Sequence, residues 1–193
     1  TEDLRQEIEK AEVLQRVEDL YKPYRQKKAT RASKAKEKGL EPLAMIIFAQ
    51  LKTDGTPEKS AEPFINAEKE VNTPEEALKG ACDIIAEMIA DDAEITKDVR
   101  EKTFSTGVIS TEAVDPEEKT VYEMYYDHQE ALSKIPNHRV LAINRGEKEK
   151  KLKVKIEADT EKMHDVIARS VIKNEKSILL GLLQDTIADA YKR

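Results

Sequence analysis

The chain has 193 residues and a mass of 21.9 kDa, a size that suits one large domain or two small ones. Charged residues make up 37% of it and aromatic residues 5%, with no Trp and only six glycines. This composition argues against a β-sandwich or barrel, which needs many aromatic or β-branched strands and glycine-rich turns. A single cysteine excludes a disulfide framework, and no apolar run approaches the roughly 18 residues of a membrane span. We therefore expect a soluble, mainly helical chain.

The net charge of −6 is unevenly distributed along the sequence. Residues Lys22–Lys38 contain eight basic residues and one acid, and residues Arg139–Lys155 contain seven basic residues and two acids. A local positive field can attract an anion even when the whole chain is acidic. Either stretch could instead be a solvated face, and the interleaved acids favour that interpretation for the second one.

Three helices are predicted in the first quarter of the chain. Apolar residues at steps of three and four predict a helix over residues 3–24, which Pro23 ends or kinks. A short helix from Thr30 to Lys38 follows, with Gly39 as its left-handed cap. The apolar run 43–51 could be a buried strand, but its alanines and methionine favour a third helix.

Helix-start signals recur through the rest of the chain. Thr73, Pro74 and Glu76 have the spacing of a capping box and predict a helix that follows a looser connection. The Asp-Pro-Glu-Glu sequence at residues 115–118 has a capping side chain, a proline and a glutamate at the same spacing, and it predicts the start of another helix. The helices expected from these signals and from apolar periodicity cover residues 74–91, 93–104, 121–135, 137–146, 160–172 and 176–192.

Two segments have strand character. Val108–Val114 is rich in β-branched residues, and Lys151–Ile156 alternates between apolar and basic residues. We expect them to pair in at most one small two-stranded sheet. The predicted fold class is therefore mainly α, a multi-helix array with one minor β element.

The sequence lacks the residue patterns of an enzyme or a cofactor site. Its three histidines, His128, His138 and His164, have no metal-binding spacing, and there is no phosphate-binding glycine loop and no GxSxG nucleophile motif. Cys82 lies on the apolar face of a predicted helix, where a small core role explains it. We expect no catalytic residue, no metal and no cofactor.

Two long segments carry unusual residue combinations. Val17–Ala44 reads VEDLYKPYRQKKATRASKAKEKGLEPLA and contains DLYxPY, and Tyr122–Glu149 reads YEMYYDHQEALSKIPNHRVLAINRGEKE and contains HRxLAxxRGE. Both resemble the Tex family of bacterial transcription accessory proteins, whose eukaryotic counterpart is a transcription elongation factor and histone chaperone. The resemblance extends over essentially the whole chain. One departure is Lys150, where the family usually has a glycine that could serve a turn with positive φ.

This resemblance implies that residues 1–193 are an internal part of the family's amino-terminal helical region. An RNase-H-like domain, a helix-hairpin-helix module and an RNA-binding OB-fold would follow in the longer protein. Residues 30–52 would have the shape of a helix-turn-helix, which is also a common packing unit. The implied partners are nucleic acid, the other domains of the same protein and the transcription machinery, in the cytoplasm and with no membrane.

The first basic stretch supplies the candidate nucleic-acid contacts: Arg25, Lys27, Lys28, Arg31, Lys34 and Lys36. Tyr21 and Tyr24 flank it and could stack on an unpaired base, although tyrosines at helical spacing are more often core residues. In the second segment the candidates are His138, Arg139 and Arg145. We expect His138 and Arg139 to bind carbonyls or carboxylates at a helix joint, the alternative being an anion site at the helix start.

Two functions remain open from the sequence. The leading hypothesis is a non-enzymatic scaffold of a transcription accessory protein whose basic stretch contacts nucleic acid weakly. The alternative is a helical module that binds only proteins. Exposed cations in the first basic stretch would favour nucleic acid, whereas cations paired with acids of neighbouring helices would favour docking and structure.

Overall fold

The computed structural model of the protein describes residues 2–25 and 29–193. It divides into two compact units, Thr1–Asp98 with His164–Arg193, and Val99–Met163, which we call the first and the second unit. Most of the described residues are helical and the only sheet among them has three strands, so the predicted mainly α class is confirmed.

Helices build the first unit. Two of them, α7 and α9, also extend into the second unit. In chain order they are α1 (Glu2–Glu9), α2 (Leu14–Tyr21), α3 (Arg31–Glu37), α4 (Glu41–Ala49), α5 (Pro57–Ala61), α6 (Pro74–Asp91), α7 (Ala93–Thr106), α9 (Thr160–Val171) and α10 (Leu180–Lys192).

Threonine caps start three of these helices. The hydroxyl oxygens of Thr30, Thr56 and Thr73 each accept a hydrogen bond from the backbone N–H three residues on, at 3.0, 3.4 and 3.2 Å. Such caps satisfy N–H groups that have no partner within the helix. The starts predicted at Thr30 and Thr73 are confirmed, and Gly39 ends α3 with φ +82 as expected.

The core of the first unit forms around α6, against which α3, α4, α5 and α10 pack. Six apolar residues are predicted to share one face of α6. Four of them, Leu78, Ala81, Ile85 and Ile89, are buried, and Cys82 and Met88 are half-buried. A second row on the same helix, which includes Ile84, is buried as well. Helix α6 is therefore enclosed on more than one face, because several helices surround it.

The single helix predicted over residues 3–24 is wrong. The chain leaves α1 at Glu9, passes through an extended Val13, restarts as α2 and ends in a 3-10 turn over Lys22–Tyr24. The break lets α2 fold back against α1, which one straight helix could not do. Local periodicity continues through the break and so hides it.

The first turn predicted for the last helix is also wrong. Helix α10 begins at Leu180 instead of residue 176. Ser177 and Ile178 are held outside the helix, because the Ser177 hydroxyl and the Ile178 N–H both donate to the carbonyl oxygen of Lys52, at 3.1 Å. A partner 125 residues away therefore decides where this helix starts.

An antiparallel sheet of order β2-β1-β3 forms the centre of the second unit, with α8 (Asn137–Lys148) after its second strand. The strands are β1 (Val108–Ala113), β2 (Asp127–Ala131) and β3 (Leu152–Glu157). The predicted pairing of β1 with β3 is confirmed, from Val108 opposite Glu157 to Ala113 opposite Leu152. The buried core of this unit consists of Ile109, Tyr122, Tyr125, Ile143 and Leu152.

The predicted helix over residues 121–135 is wrong, and so is the limit of two strands. Residues 127–131 form β2 along the other edge of β1, after a 3-10 turn at Glu123–Tyr125. Strand β1 is central, so the backbone groups on its second edge need partners as well. Thr111 strengthens this edge by donating its hydroxyl to the carbonyl oxygen of Tyr125 at 2.6 Å.

Lys150 adopts a positive φ, at the position where the similar family usually has a glycine. Its φ is +58, and it connects α8 to β3. The nearby Gly146 lies under Leu152 and Tyr122 with no room for a side chain. A residue with a Cβ is strained in the left-handed region by about 1–2 kcal/mol.

Replacing Lys150 by glycine is expected to stabilise the chain by about 1 kcal/mol, because glycine adopts positive φ without a steric penalty. The matched control is Lys153→Gly, an exposed position within β3 where the same change costs about 0.5–1 kcal/mol. Urea unfolding monitored by circular dichroism measures both. A Lys150→Gly variant less stable than the parent would contradict the strain argument.

Gln50 joins two distant parts of the first unit. It follows α4 with φ +56, and its side chain is completely buried. Its Nε2 donates to the carbonyl oxygen of Val171 at 2.7 Å, and its Oε1 accepts from the N–H groups of Lys173 and Asn174 at 2.8 and 3.1 Å. The Asn174 amide donates back to the Gln50 carbonyl oxygen at 3.0 Å.

Replacing Gln50 by leucine should destabilise the chain by about 3 kcal/mol or more, because it leaves several buried backbone groups without partners at about 1–3 kcal/mol each. Gln6→Leu is the matched control, since Gln6 is exposed on α1 and the same change there should stay within about 0.5 kcal/mol. Equal denaturant midpoints for the two variants would show that the buried amide contributes nothing.

Candidate nucleic-acid interface

Helix α3 positions the centre of the first basic stretch. Its start is fixed by a reciprocal cap in which the Thr30 hydroxyl accepts from the Ser33 N–H at 3.0 Å and the Ser33 hydroxyl accepts from the Thr30 N–H at 2.8 Å. Ala32 and Ala35 lie on the other side of the helix and are buried. These contacts set the direction in which the basic side chains leave α3.

Arg31 binds acids of other helices. Its guanidinium contacts both carboxylate oxygens of Asp189 at 3.0 Å, and its Nε lies 3.3 Å from Asp83. Arg193 contacts the same two acids, at 2.7 Å from Asp189 and 2.5 Å from Asp83. We call these four residues the arginine–aspartate cluster; it joins α3, α6 and the end of α10.

The cluster shifts the pKa of two of its members, Arg31 and Asp189. The hydrogen bond to Asp189 and the nearby charge of Asp83 raise the pKa of Arg31. Partial burial alone would raise the pKa of Asp189, but the hydrogen bonds from Arg193 and Arg31 outweigh it and lower that pKa. Arg31 and Arg193 share the two carboxylates, so Arg31 is tied to α6 and α10 although its side chain is 58% exposed. A phosphate would have to compete with both acids for it.

Three other candidate cations face solvent. Arg25 is exposed after the 3-10 turn, and Lys34 and Lys36 are exposed on α3. Lys27 and Lys28 lie outside the described residues. Of the six predicted contacts, three are exposed cations, and a fourth, Arg31, is also exposed but tied into an ion-pair cluster.

A shallow groove lies beside α3, with a volume of about 320 Å³. Its floor is apolar and includes Ala35, Leu40 and Gly80, and its rim carries Lys34 and Lys79. Gly80 is required here because a Cβ at this position would overlap the Leu40 side chain. The rim also includes acids, so the groove is not a simple anion pocket.

Sequence reasoning missed Lys79 as a neighbour of the basic stretch. It lies on α6, about 40 residues beyond that stretch, and carries no local signal that links it to α3. Lys38, by contrast, is engaged: its Nζ donates to the Glu70 carbonyl oxygen at 3.0 Å and lies 3.5 Å from the Glu70 carboxylate. Only tertiary packing reveals which cations share the groove.

The second set of candidates lies in the second unit. Arg139 donates to both carboxylate oxygens of Glu130 at 2.9 Å, which connects the first turn of α8 to β2. The same carboxylate lies 3.3 Å from the His128 ring. The bond from Arg139, followed by its charge and the contact with His128, lowers the pKa of Glu130. His138 is exposed.

Arg145 is exposed near the end of α8. Its charge acts on Tyr122, a buried member of the second unit's core, in the direction of a lower pKa. Partial burial and the neighbouring Glu149 carboxylate act more strongly, and together they raise the pKa of Tyr122. The three candidates of this set therefore have separate surroundings, with Arg139 in an ion pair and the other two at the surface.

The described residues contain no group of three or more histidine, cysteine or acidic side chains arranged to hold a metal ion. Within the same residues, no helix combines the length and the apolar character needed to cross a membrane. The chemistry available at the first basic stretch is thus that of exposed cations, mixed with ion pairs.

Comparison with known proteins indicates the family. Residues 52–192 match the family described as Tex central region-like. The chain is 47% identical to "Uncharacterized protein YdcI" of Bacillus subtilis, over 100% of this chain and 27% of that protein. It is 42% identical to "Protein tex" of Bordetella pertussis, over 83% of this chain and 21% of that protein.

A more distant human protein is similar as well. "S1 RNA-binding domain-containing protein 1" is 27% identical over 92% of this chain and 19% of its own length. The chain thus spans about a quarter or less of the length of these relatives.

Replacing Arg139 by alanine should lower the melting temperature at pH 7 by about 2 °C, because Glu130 then loses its bidentate partner. The lowered pKa of Glu130 means that the pair stabilises fully above the ordinary carboxyl pKa and is lost as the pH falls through the lowered value. The difference from the parent should therefore shrink as the pH falls below the ordinary carboxyl pKa.

The control is Lys148→Ala, which removes an exposed cation from the same helix. Differential scanning calorimetry between pH 3 and pH 8 measures both variants. Unchanged stability of Arg139→Ala, combined with weaker nucleic-acid binding, would instead support an anion site at the start of α8.

Proposed function

Because this chain belongs to the Tex central region-like family, we propose that it is a non-enzymatic scaffold that adds a weak, sequence-independent nucleic-acid contact to a transcription accessory protein. One relative is named "Transcriptional accessory protein Tex" and another carries an S1 RNA-binding domain in its name. The matched region is 19% of the length of each of those two proteins. The role of this region within such a protein is our proposal.

The observation that supports the proposal is the exposure of Arg25, Lys34 and Lys36. Phosphates are attracted by such cations and release counterions on binding, so the affinity falls as salt rises. The contact would be electrostatic and weak, with a dissociation constant on the order of 10⁻⁴ to 10⁻⁶ M at physiological salt. Arg31 would maintain the helix packing instead of binding phosphate.

The helix-turn-helix expected over residues 30–52 would consist of α3, the turn at Gly39 and α4, but α4 is poorly suited to read bases. It carries one charged residue, Glu41, and it buries Leu43, Ala44 and Ile47. Base edges are recognised by side chains such as Arg, Asn and Gln. We therefore propose that this pair is a packing unit and that the contact with nucleic acid goes to phosphates.

A second candidate function is docking of proteins, either the other domains of the longer chain or the transcription machinery. The observation that favours it is the exposure of Val121 (85%) and Met124 (72%) in the second unit. Exposed apolar side chains close together mark interaction surfaces more often than isolated ones do. In both candidates the chain works in the bacterial cytoplasm, where the transcription machinery is found.

Reversing the charges of Arg25, Lys34 and Lys36 to glutamate should weaken binding to DNA and RNA at least tenfold and reduce the slope of log affinity against log salt. The measurement is a salt-titrated fluorescence anisotropy assay with labelled single strands and duplexes. The matched control reverses Lys97, Lys119 and Lys134, which are exposed and lie outside both basic stretches.

The control changes the net charge by the same amount, so it separates the position of the cations from the total charge of the chain. Equal weakening in both triple variants would reduce the effect to net charge and contradict a defined contact surface. If the parent chain does not bind nucleic acid at low salt, protein docking is the one of the two candidate functions that remains.

A further inference from the structure

Tyr21 and Tyr24 lie at the surface next to the basic stretch. Their exposed fractions are 54% and 60%, although tyrosines three residues apart on a helix usually contribute to a core. Tyrosines in the second unit behave in the usual way, since Tyr122 and Tyr125 are buried. The exposed pair therefore needs a separate explanation.

The local backbone geometry is consistent with both rings lying on one side of the chain. Tyr21 ends α2, and Tyr24 ends the 3-10 turn over Lys22–Tyr24. Side chains at positions i and i+3 eclipse each other in 3-10 geometry. Pro23 fixes its own φ within this turn, which reduces the freedom of the segment that carries both rings.

A tertiary contact anchors the turn. The Nζ of Lys22 donates to the carbonyl oxygen of Ala90, near the end of α6, at 2.7 Å. The Arg25 N–H closes the turn by donating to the Lys22 carbonyl oxygen at 3.3 Å. The exposed tyrosines thus lie on a segment that is tied to the central helix of the first unit.

We propose that Tyr21 and Tyr24 form a stacking platform for the unpaired bases of single-stranded nucleic acid, with Arg25 bound to the adjoining phosphates. Aromatic rings stack on any base, because every base has a π-face, and a cationic neighbour follows the backbone. A duplex offers no unpaired base to the rings. This inference rests on the proposed nucleic-acid contact and makes it selective for single strands.

Charge favours this ligand over a protein. Val13 and Leu14 are also exposed on the same part of the chain, so an apolar partner would have further contacts on α2. The tyrosines, however, adjoin a cation, because Arg25 is exposed directly after Tyr24. Aromatic and cationic groups side by side match a ligand with bases and phosphates.

The experiment compares the 193-residue chain with variants in fluorescence anisotropy, on labelled oligothymidylate of about 20 nucleotides, longer than the ~4–16 nucleotides of a single-strand site, and on a duplex of equal length. Tyr21→Ala with Tyr24→Ala should weaken single-strand binding about tenfold and change duplex binding less than about twofold. The pair Tyr21→Phe and Tyr24→Phe keeps the rings and should bind like the parent.

Leu14→Ala is the second control, because it removes an exposed apolar side chain from α2 without touching the platform. Circular dichroism and melting temperature establish that each variant is folded. Retained binding by Leu14→Ala, together with the loss in the double alanine variant, supports stacking over a general apolar surface.

Two results would overturn the platform. If the double alanine variant binds oligothymidylate as tightly as the parent, and both lose affinity with salt, the platform is wrong while the electrostatic contact stands. If single-strand and duplex binding fall equally in that variant, the rings do not select unpaired bases. A parent that binds neither ligand at low salt refutes the contact and the platform together.

Discussion

The buried amide of Gln50 is the interaction on which the first unit depends. It ties the end of α4 to the chain after α9, and the neighbouring Lys52 carbonyl then holds Ser177 and Ile178 just before α10. A fully hydrogen-bonded polar group in a core favours one arrangement, because every alternative leaves some of its partners unsatisfied. Polar contacts therefore fix the path of the chain just ahead of α10, and the apolar side of that helix packs on α6.

The position of α10 in turn decides the electrostatics of the basic stretch. It brings Asp189 to α3, where Asp189 and Asp83 hold Arg31. Arg31, one of the cations in the first basic stretch, is thereby bound to two carboxylates, while Lys34 and Lys36 remain exposed. The field that a phosphate would meet is thus smaller than the sum of the charges in the sequence, and tertiary structure selects which charges contribute to it.

Local signals and long-range contacts explain which features could be predicted. The caps at Thr30 and Thr73 and the strand β3 are encoded within a few residues, and the structure contains all three. The box at Thr73 is not closed, because the Glu76 carboxylate accepts from the Asn72 N–H instead. The role of Gln50 and the pairing of Arg31 with Asp189 depend on residues more than 120 positions away. Strand β2 was hidden for the same reason, since its polar sequence becomes a strand only beside the open edge of β1.

The groove beside α3 depends on a missing side chain. At Gly80 the backbone of α6 approaches the Leu40 side chain so closely that a methyl group has no space unless Leu40 moves. The rim and the floor of the groove therefore tolerate substitution differently. Lys34 and Lys79 are exposed, so replacing either one changes the charge at the rim and leaves the packing intact, whereas a side chain at Gly80 displaces Leu40 and reshapes the floor. The charge of this groove can be changed one residue at a time, and its shape is held by the core beneath it.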